Sequence, residues 1–164
     1  MSKASLPRPP LVWLRDPGHF LALGAGTGLV PRAPGTWGSL LGVALYAAVA
    51  PWGLGVSLPV AIFLCVIGVP LCGRTARALG VHDHPAIVWD EVAGVFLTLL
   101  CGNGSPLSLG MGFALFRLFD IWKPWPVRWA DRRLGGGAGV MADDLLAAAY
   151  AGAGLALFEY VSYS

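Results

Sequence analysis

Charge is what this chain has least of. Asp, Glu, Lys and Arg make up only 12% of its 164 residues, where an ordinary globular domain carries about 25%. A net charge of +2, with bases that form no continuous face, excludes a nucleic-acid surface of the usual kind. The three cysteines, Cys65, Cys72 and Cys101, lie in apolar runs without C-x-x-C spacing. They imply neither a disulfide framework nor a thiolate metal site, and read as small core or lipid-facing residues. No G-x-S-x-G elbow, Walker loop or G-x-G-x-x-G turn occurs, and no cysteine is followed six residues later by arginine. Period-two alternation is also missing, so no sheet is expected.

What is there is apolar: 56% hydrophobic residues and a mean hydropathy of +0.67. One domain's worth of chain is long enough for a sizeable core. At the N-terminus only Leu11 to Leu14 form an apolar run before Arg15 and Asp16, too short for a signal-peptide core of about 7 to 15 residues. Residues 1–25 are expected to form an amphipathic or irregular lead-in along a membrane surface, and 26–164 a single helical domain.

Within that domain no charge occurs from Ala33 to Gly73, and Pro51-Trp52-Gly53 divides the run into helices near 36–50 and 55–72. A second uncharged run, Val92 to Phe116, is divided at Gly102-Asn103-Gly104-Ser105-Pro106. A third, Leu145 to Phe158, carries small residues at spacing four (Ala148 and Gly152, Ala149 and Ala153), which permits close helix approach. The expectation is all-α, a compact bundle of about five main helices. All eleven bases fall in the lead-in, the connections after the second and fourth helices, or the adjoining helix ends. Such one-sided placement predicts a polytopic membrane protein with its basic face in the cytoplasm. Most segments are shorter than the roughly 20 residues of a full span, so some helices cross only part of the bilayer.

The acids follow the bases. Asp83, Asp90, Glu91, Asp120, Asp131, Asp143 and Asp144 all map to the basic end. Asp90-Glu91 and Asp143-Asp144 are placed at helix starts, where capping and the helix dipole would already favour them. Capping does not explain why so charge-poor a chain sets its acids in pairs beside apolar segments, where an uncompensated carboxylate is costly. A shared cation would neutralise them. Oxygen donors without paired thiols or imidazoles suit Mg²⁺, which takes one or two carboxylates plus substrate phosphate.

In FRLFDIWKPWP, residues 116–126, Arg117, Asp120 and Lys123 form a plus, minus, plus stripe at spacing three. It reads either as a surface ion-pair ladder or as one wall of an anion site. LVPRAPGTWGSL, residues 29–40, offers Arg32, Gly35 and the hydroxyl of Thr36 at a helix start, which suits phosphate. Ser39 could cap the same helix. His82 and His84 read as exposed groups of a polar loop, with a supporting or general acid–base role as the alternative. Trp122, Trp125 and Trp129 suit an aromatic belt at headgroup level, with core packing as the alternative.

GTGLVPRAPGTWGSLLG, HDHPAIVWDEVAG, FRLFDIWKPWP and GVMADDLLAA, in this order, resemble the phosphatidylglycerophosphatase A family from about Gly26 to Ala149. The resemblance implies a Mg²⁺-dependent phosphatase of the bacterial inner membrane, converting phosphatidylglycerophosphate to phosphatidylglycerol. It also implies a compact helical fold in which a central helix is surrounded by others. Asp90, Glu91, Asp120, Asp143 and Asp144 are then the pool of metal ligands and general bases. Arg117, Lys123, Arg32 and the Gly35-Thr36 backbone would hold the phosphoryl oxygens during in-line attack by an activated water. The alternative from another class is an ion-coupled transporter using the carboxylates as its ion path. That reading requires acids near the bilayer midplane rather than at one end. A CDP-alcohol phosphotransferase is disfavoured, because its D-G-x-x-A-R…G-x-x-x-D-x-x-x-D pattern is missing.

Overall fold

A computed structural model describes residues 8–81 and 84–163, without the side chains of 130–132 and 163. His82, Asp83 and the Asp131 side chain lie outside the described residues. The described chain is helical and contains no strand: α1 (Pro17–Ala22), α2 (Pro34–Val49), α3 (Leu54–Leu79), α4 (Trp89–Leu99), α5 (Pro106–Trp122), α6 (Val127–Arg133) and α7 (Gly136–Tyr163), with short 3-10 turns at Leu11–Arg15, Gly24–Leu29 and Ala50–Trp52.

The expected five main helices correspond to α2, α3, α4, α5 and α7. Their ends follow local chemistry. Pro34 opens α2 and Pro106 opens α5, positions where the missing amide costs no helix bond. Ser105 Oγ accepts from the Ser108 amide at 3.2 Å and caps α5. Gly80, at φ 67, closes α3 in the left-handed conformation.

Two helices run further than the sequence reading placed them. α3 continues from Cys72 to Leu79. α7 starts at Gly136, so Asp143 and Asp144 lie about two turns inside it rather than in its first turn. Capping therefore does not account for that pair.

The lead-in is more ordered than expected. Asp16 Oδ1 accepts from the amides of Gly18 and His19 at 2.9 and 3.1 Å, capping α1. Arg74 of α3 grips the same carboxylate at 2.8 Å and holds it below the usual carboxylate range. His19 stacks on Trp13, and its Nδ1 lies 2.9 Å from Thr75 Oγ1. α1 is thus docked on the C-terminal half of α3. A lead-in lying only along a membrane surface would not make these contacts.

α4 is the central helix and packs against α2, α3, α5 and α7. Val92, Ala93, Val95, Phe96 and Leu99 are all buried, as suits a helix apolar around its whole circumference. Gly94 lets α5 and α7 close on it. A Cβ there would meet the Phe116 ring at 2.6 Å and the Asp144 carbonyl at 3.3 Å. Around this core, α3 and α7 are long and apolar enough to cross a membrane. The outer face of α3 exposes Ile62, Phe63 and Val66.

Two glycines in neighbouring helices should respond oppositely to substitution. Gly94→Leu overpacks the centre and should cost about 1–3 kcal/mol. Gly110→Ala on α5 meets nothing within 4 Å, and should add about 0.5–1 kcal/mol of helix stability. Denaturant unfolding of the detergent-solubilised protein, followed by circular dichroism, measures both.

Candidate active site

The helices alternate in direction, so the starts of α2, α4 and α7 and the end of α5 meet at one end of the bundle. At the opposite end the amide of Asn103, in the α4–α5 turn, donates to Glu159 Oε1 near the end of α7 at 3.4 Å.

Carboxylates of α4 and α7 converge at the first end. One oxygen each from Asp90, Glu91 and Asp144 lies within 4.8 Å of the others. Asp90, Asp143 and Asp144 are buried. Glu91 Oε2 and Asp144 Oδ2 are buried without a hydrogen-bond partner. Asp144 also faces Asp120 and Asp143, so all five predicted acids share one neighbourhood. α4, at 11 residues, is too short to span a bilayer. Burial, reinforced by the negative field of Asp144, raises the Glu91 carboxyl to about 8.

Two cations compensate part of this charge. Arg117 Nη1 donates to Asp120 Oδ2 at 2.6 Å, as the three-residue spacing predicts, and lies 3.9 Å from Glu91 Oε1. Its Nε is buried and unpartnered. Lys123 departs from the expected stripe. α5 ends at Trp122, and Lys123 sits at φ 46, where its Nζ donates to Asp143 Oδ2 of α7 at 2.5 Å. A non-glycine residue there costs about 1–2 kcal/mol. Arg117–Asp120 is thus a pair within α5, while Arg117–Glu91 and Lys123–Asp143 reach across to α4 and α7, so the stripe is not a ladder along one surface.

The α2 start contributes differently from expectation. Gly35 is buried, and a Cβ on it would collide with Glu91 Oε1 and come within 3.2 Å of Arg117 Nη1. Its role in the geometry is to leave room for the carboxylate. The Thr36 amide already donates to the Ala33 carbonyl at 3.0 Å. Arg32 is exposed, and among the described residues it forms no ion pair with the cluster.

Ser39, considered only as a cap, proves to be a site residue. Its Oγ donates to the Gly35 carbonyl at 2.8 Å and receives Arg117 Nη1 at 3.5 Å. The signal available in sequence was its place one turn after Gly35. His84 corrects another expectation. It is buried rather than exposed, and its Nδ1 accepts from the Ala86 amide at 3.1 Å. Trp122, Trp125 and Trp129 are exposed, which excludes core packing for them.

The raised Glu91 carboxyl has a consequence for stability. In the folded, ion-free protein Glu91 keeps its proton up to about 8, whereas the unfolded chain releases it near 4.5. Unfolding then releases that proton, so stability contributed by this group is full below about pH 4.5 and is lost as pH rises through about 8. Denaturant titrations in EDTA should show this decline. A Glu91→Gln variant should lose it, and an unchanged slope in that variant would assign the titration elsewhere.

Comparison with known proteins identifies the family. The family profile described as Phosphatidylglycerophosphatase A matches residues 20–159. Phosphatidylglycerophosphatase A of Escherichia coli is 46% identical over 137 residues, covering 82% of this chain and 78% of the relative. The Haemophilus influenzae protein of the same name is 46% identical over 140 residues, 84% of this chain and 86% of that one. No solved structure matches. The chain belongs to the phosphatidylglycerophosphatase A family, and is a phosphoric monoester hydrolase of phospholipid synthesis.

Proposed function

We propose that the chain hydrolyses the terminal phosphomonoester of phosphatidylglycerophosphate, giving phosphatidylglycerol and phosphate, and that it does so with Mg²⁺. The reading rests chiefly on the three converging oxygens of Asp90, Glu91 and Asp144, two of whose carboxylates keep a buried oxygen without a partner. An all-oxygen donor set of concentrated negative charge fits a hard divalent cation. Asp90, Glu91 and Asp144 would hold it. When bound, Mg²⁺ would neutralise the carboxylates, polarise the phosphoryl group and make water more acidic.

The chain's own groups account for the remaining steps. Arg117, with an unused buried Nε, and Lys123 would hold the phosphoryl oxygens and offset charge that grows in the transition state. Arg32 would approach only from the exposed loop before α2, and the hydroxyl of Thr36 stands at the start of that helix. Asp120 and Asp143, oriented by Arg117 and Lys123, would take the proton of the attacking water. The bond from phosphorus to the glycerol oxygen breaks as the water oxygen bonds to phosphorus, and that glycerol oxygen takes up a proton.

The lipid substrate agrees with a multi-pass protein of the bacterial inner membrane whose charged end lies at the cytoplasmic rim. Apolar α3 and α7 would cross the bilayer, and the exposed tryptophans after α5 would sit at headgroup depth.

Phosphate release from phosphatidylglycerophosphate by the purified protein should be abolished by EDTA and restored by Mg²⁺. Asp144→Asn and Lys123→Ala should each lower kcat by about 100-fold or more. Activity that survives both EDTA and loss of each of the five acids would sink the metal reading. Orientation has its own check, with Gly53→Cys and Arg133→Cys introduced singly after the native cysteines are replaced. A membrane-impermeant thiol reagent should reach position 133 from the cytoplasm and position 53 from the opposite side; the reverse pattern would invert the topology.

A further inference from the structure

Two cavities flank the corner between α5 and α6. One, of about 610 Å³, is lined by Trp122, Lys123, Trp125, Arg128, Trp129 and Arg133. The other, of about 670 Å³, is lined by Arg117, Leu118, Ile121, Trp122 and Arg128. Trp122 and Arg128 line both, so the two form one groove with a shared partition. Its lining contains cations and apolar side chains but, among the described residues, no carboxylate.

The groove is continuous with the acid cluster. Lys123 lines the first cavity while holding Asp143, and Arg117 lines the second while holding Asp120. Arg128 stands one step further out. Its Nη2 donates to the Trp122 carbonyl at 3.3 Å, and among the described residues it pairs with no carboxylate. Around it Trp122, Trp125 and Trp129 are 61%, 78% and 50% exposed. The Tyr150 hydroxyl donates to the Trp125 carbonyl at 3.0 Å and ties this corner to α7.

A guanidinium that no described carboxylate neutralises, set among exposed indoles, suits an anion carried on an apolar body, which is the chemistry of a phospholipid phosphodiester. The substrate proposed above has such a diester one glycerol away from its terminal monoester. With the monoester at the carboxylates, the groove is the neighbouring space that Lys123 and Arg117 join to the cluster, where a diester one glycerol away would fall. We propose that Arg128 grips the phosphodiester of the lipid substrate, and so selects lipids carrying a diester one glycerol away from the scissile monoester. This rests on the reaction proposed above.

The test uses the full chain in neutral detergent micelles. Arg128→Ala should raise KM for phosphatidylglycerophosphate about tenfold, the usual worth of one charge-assisted hydrogen bond, with kcat within about twofold. Arg128→Lys should recover part of the loss. KM for phosphatidate, a phosphomonoester lipid without the diester, should not move if it is hydrolysed.

Binding of phosphatidylglycerol, which keeps the diester but has no monoester, is read separately through quenching of tryptophan fluorescence by brominated acyl chains. It should weaken about tenfold in Arg128→Ala. Unchanged KM and unchanged phosphatidylglycerol binding would overturn the proposal, as would a fall in kcat alone. A variant defect that appears only when phosphatidylserine is added to the micelles would instead assign the groove to bulk anionic lipid. If the wild-type protein releases no phosphate yet binds phosphatidylglycerol through Arg128, the reaction is wrong and the groove stands; normal turnover without that dependence gives the converse.

Discussion

Five carboxylates brought together at one end of an apolar bundle, with two cations to offset them, set the constraint on which the rest of the structure depends. A buried carboxylate without a partner costs several kcal/mol unless it is protonated or neutralised. Arg117 satisfies Asp120 and Lys123 satisfies Asp143, but Glu91 and Asp144 each keep a buried oxygen with no partner. An ordinary structural ion-pair network would close those valences. Leaving them open concentrates negative charge where a cation can relieve it, and this makes the cluster more informative than a count of acids.

The fold brings the cluster to one level by geometry that is mostly apolar. α4 is short and buried on all sides, so its first turn delivers Asp90 and Glu91 to the end of the bundle while its remainder forms the core. α7 begins about two turns before Asp143 and Asp144, which places them inside a continuous helix. A carboxylate there cannot be satisfied by free helix amides, as one at an N-terminus can. Gly35 then matters for absence of bulk: any Cβ would occupy the space that Glu91 uses beside Arg117.

Much of the fold was legible because its determinants are local. Proline and glycine punctuation marked the turns, and uncharged runs marked five helices; one-sided charge implied that their polar ends meet. The start of α7 was not legible, since Gly135 through Gly139 looks like a connection by propensity. In the structure Gly137 packs against Val69 and Gly73 of α3, a tertiary contact that the absence of side chains permits. Arg117–Asp120 was readable from i, i+3 spacing. Lys123–Asp143 was not, because it depends on a left-handed residue after α5 and on the packing of α7 beside it. Ser39 and His84 escaped for a similar reason: each is fixed by a partner whose position depends on the folded backbone.

The distribution of charge also separates an enzyme from a conduit. An ion path through the bundle would need polar groups continuing from the cluster towards the far end. Between the two ends lie Phe96, Leu99, Phe116, Ala151 and Leu155, all buried in one apolar cluster. Thr98, also buried at that level, turns its hydroxyl back to the Gly94 carbonyl of its own helix at 3.0 Å. Glu159 stands at the opposite end with Asn103, and no described carboxylate bridges the gap. The charged end is closed below by hydrocarbon and opens sideways, past Arg117 and Lys123, towards a corner of exposed tryptophans. A reactant that stays embedded in the bilayer while presenting a phosphate at its surface meets such a site without crossing the protein.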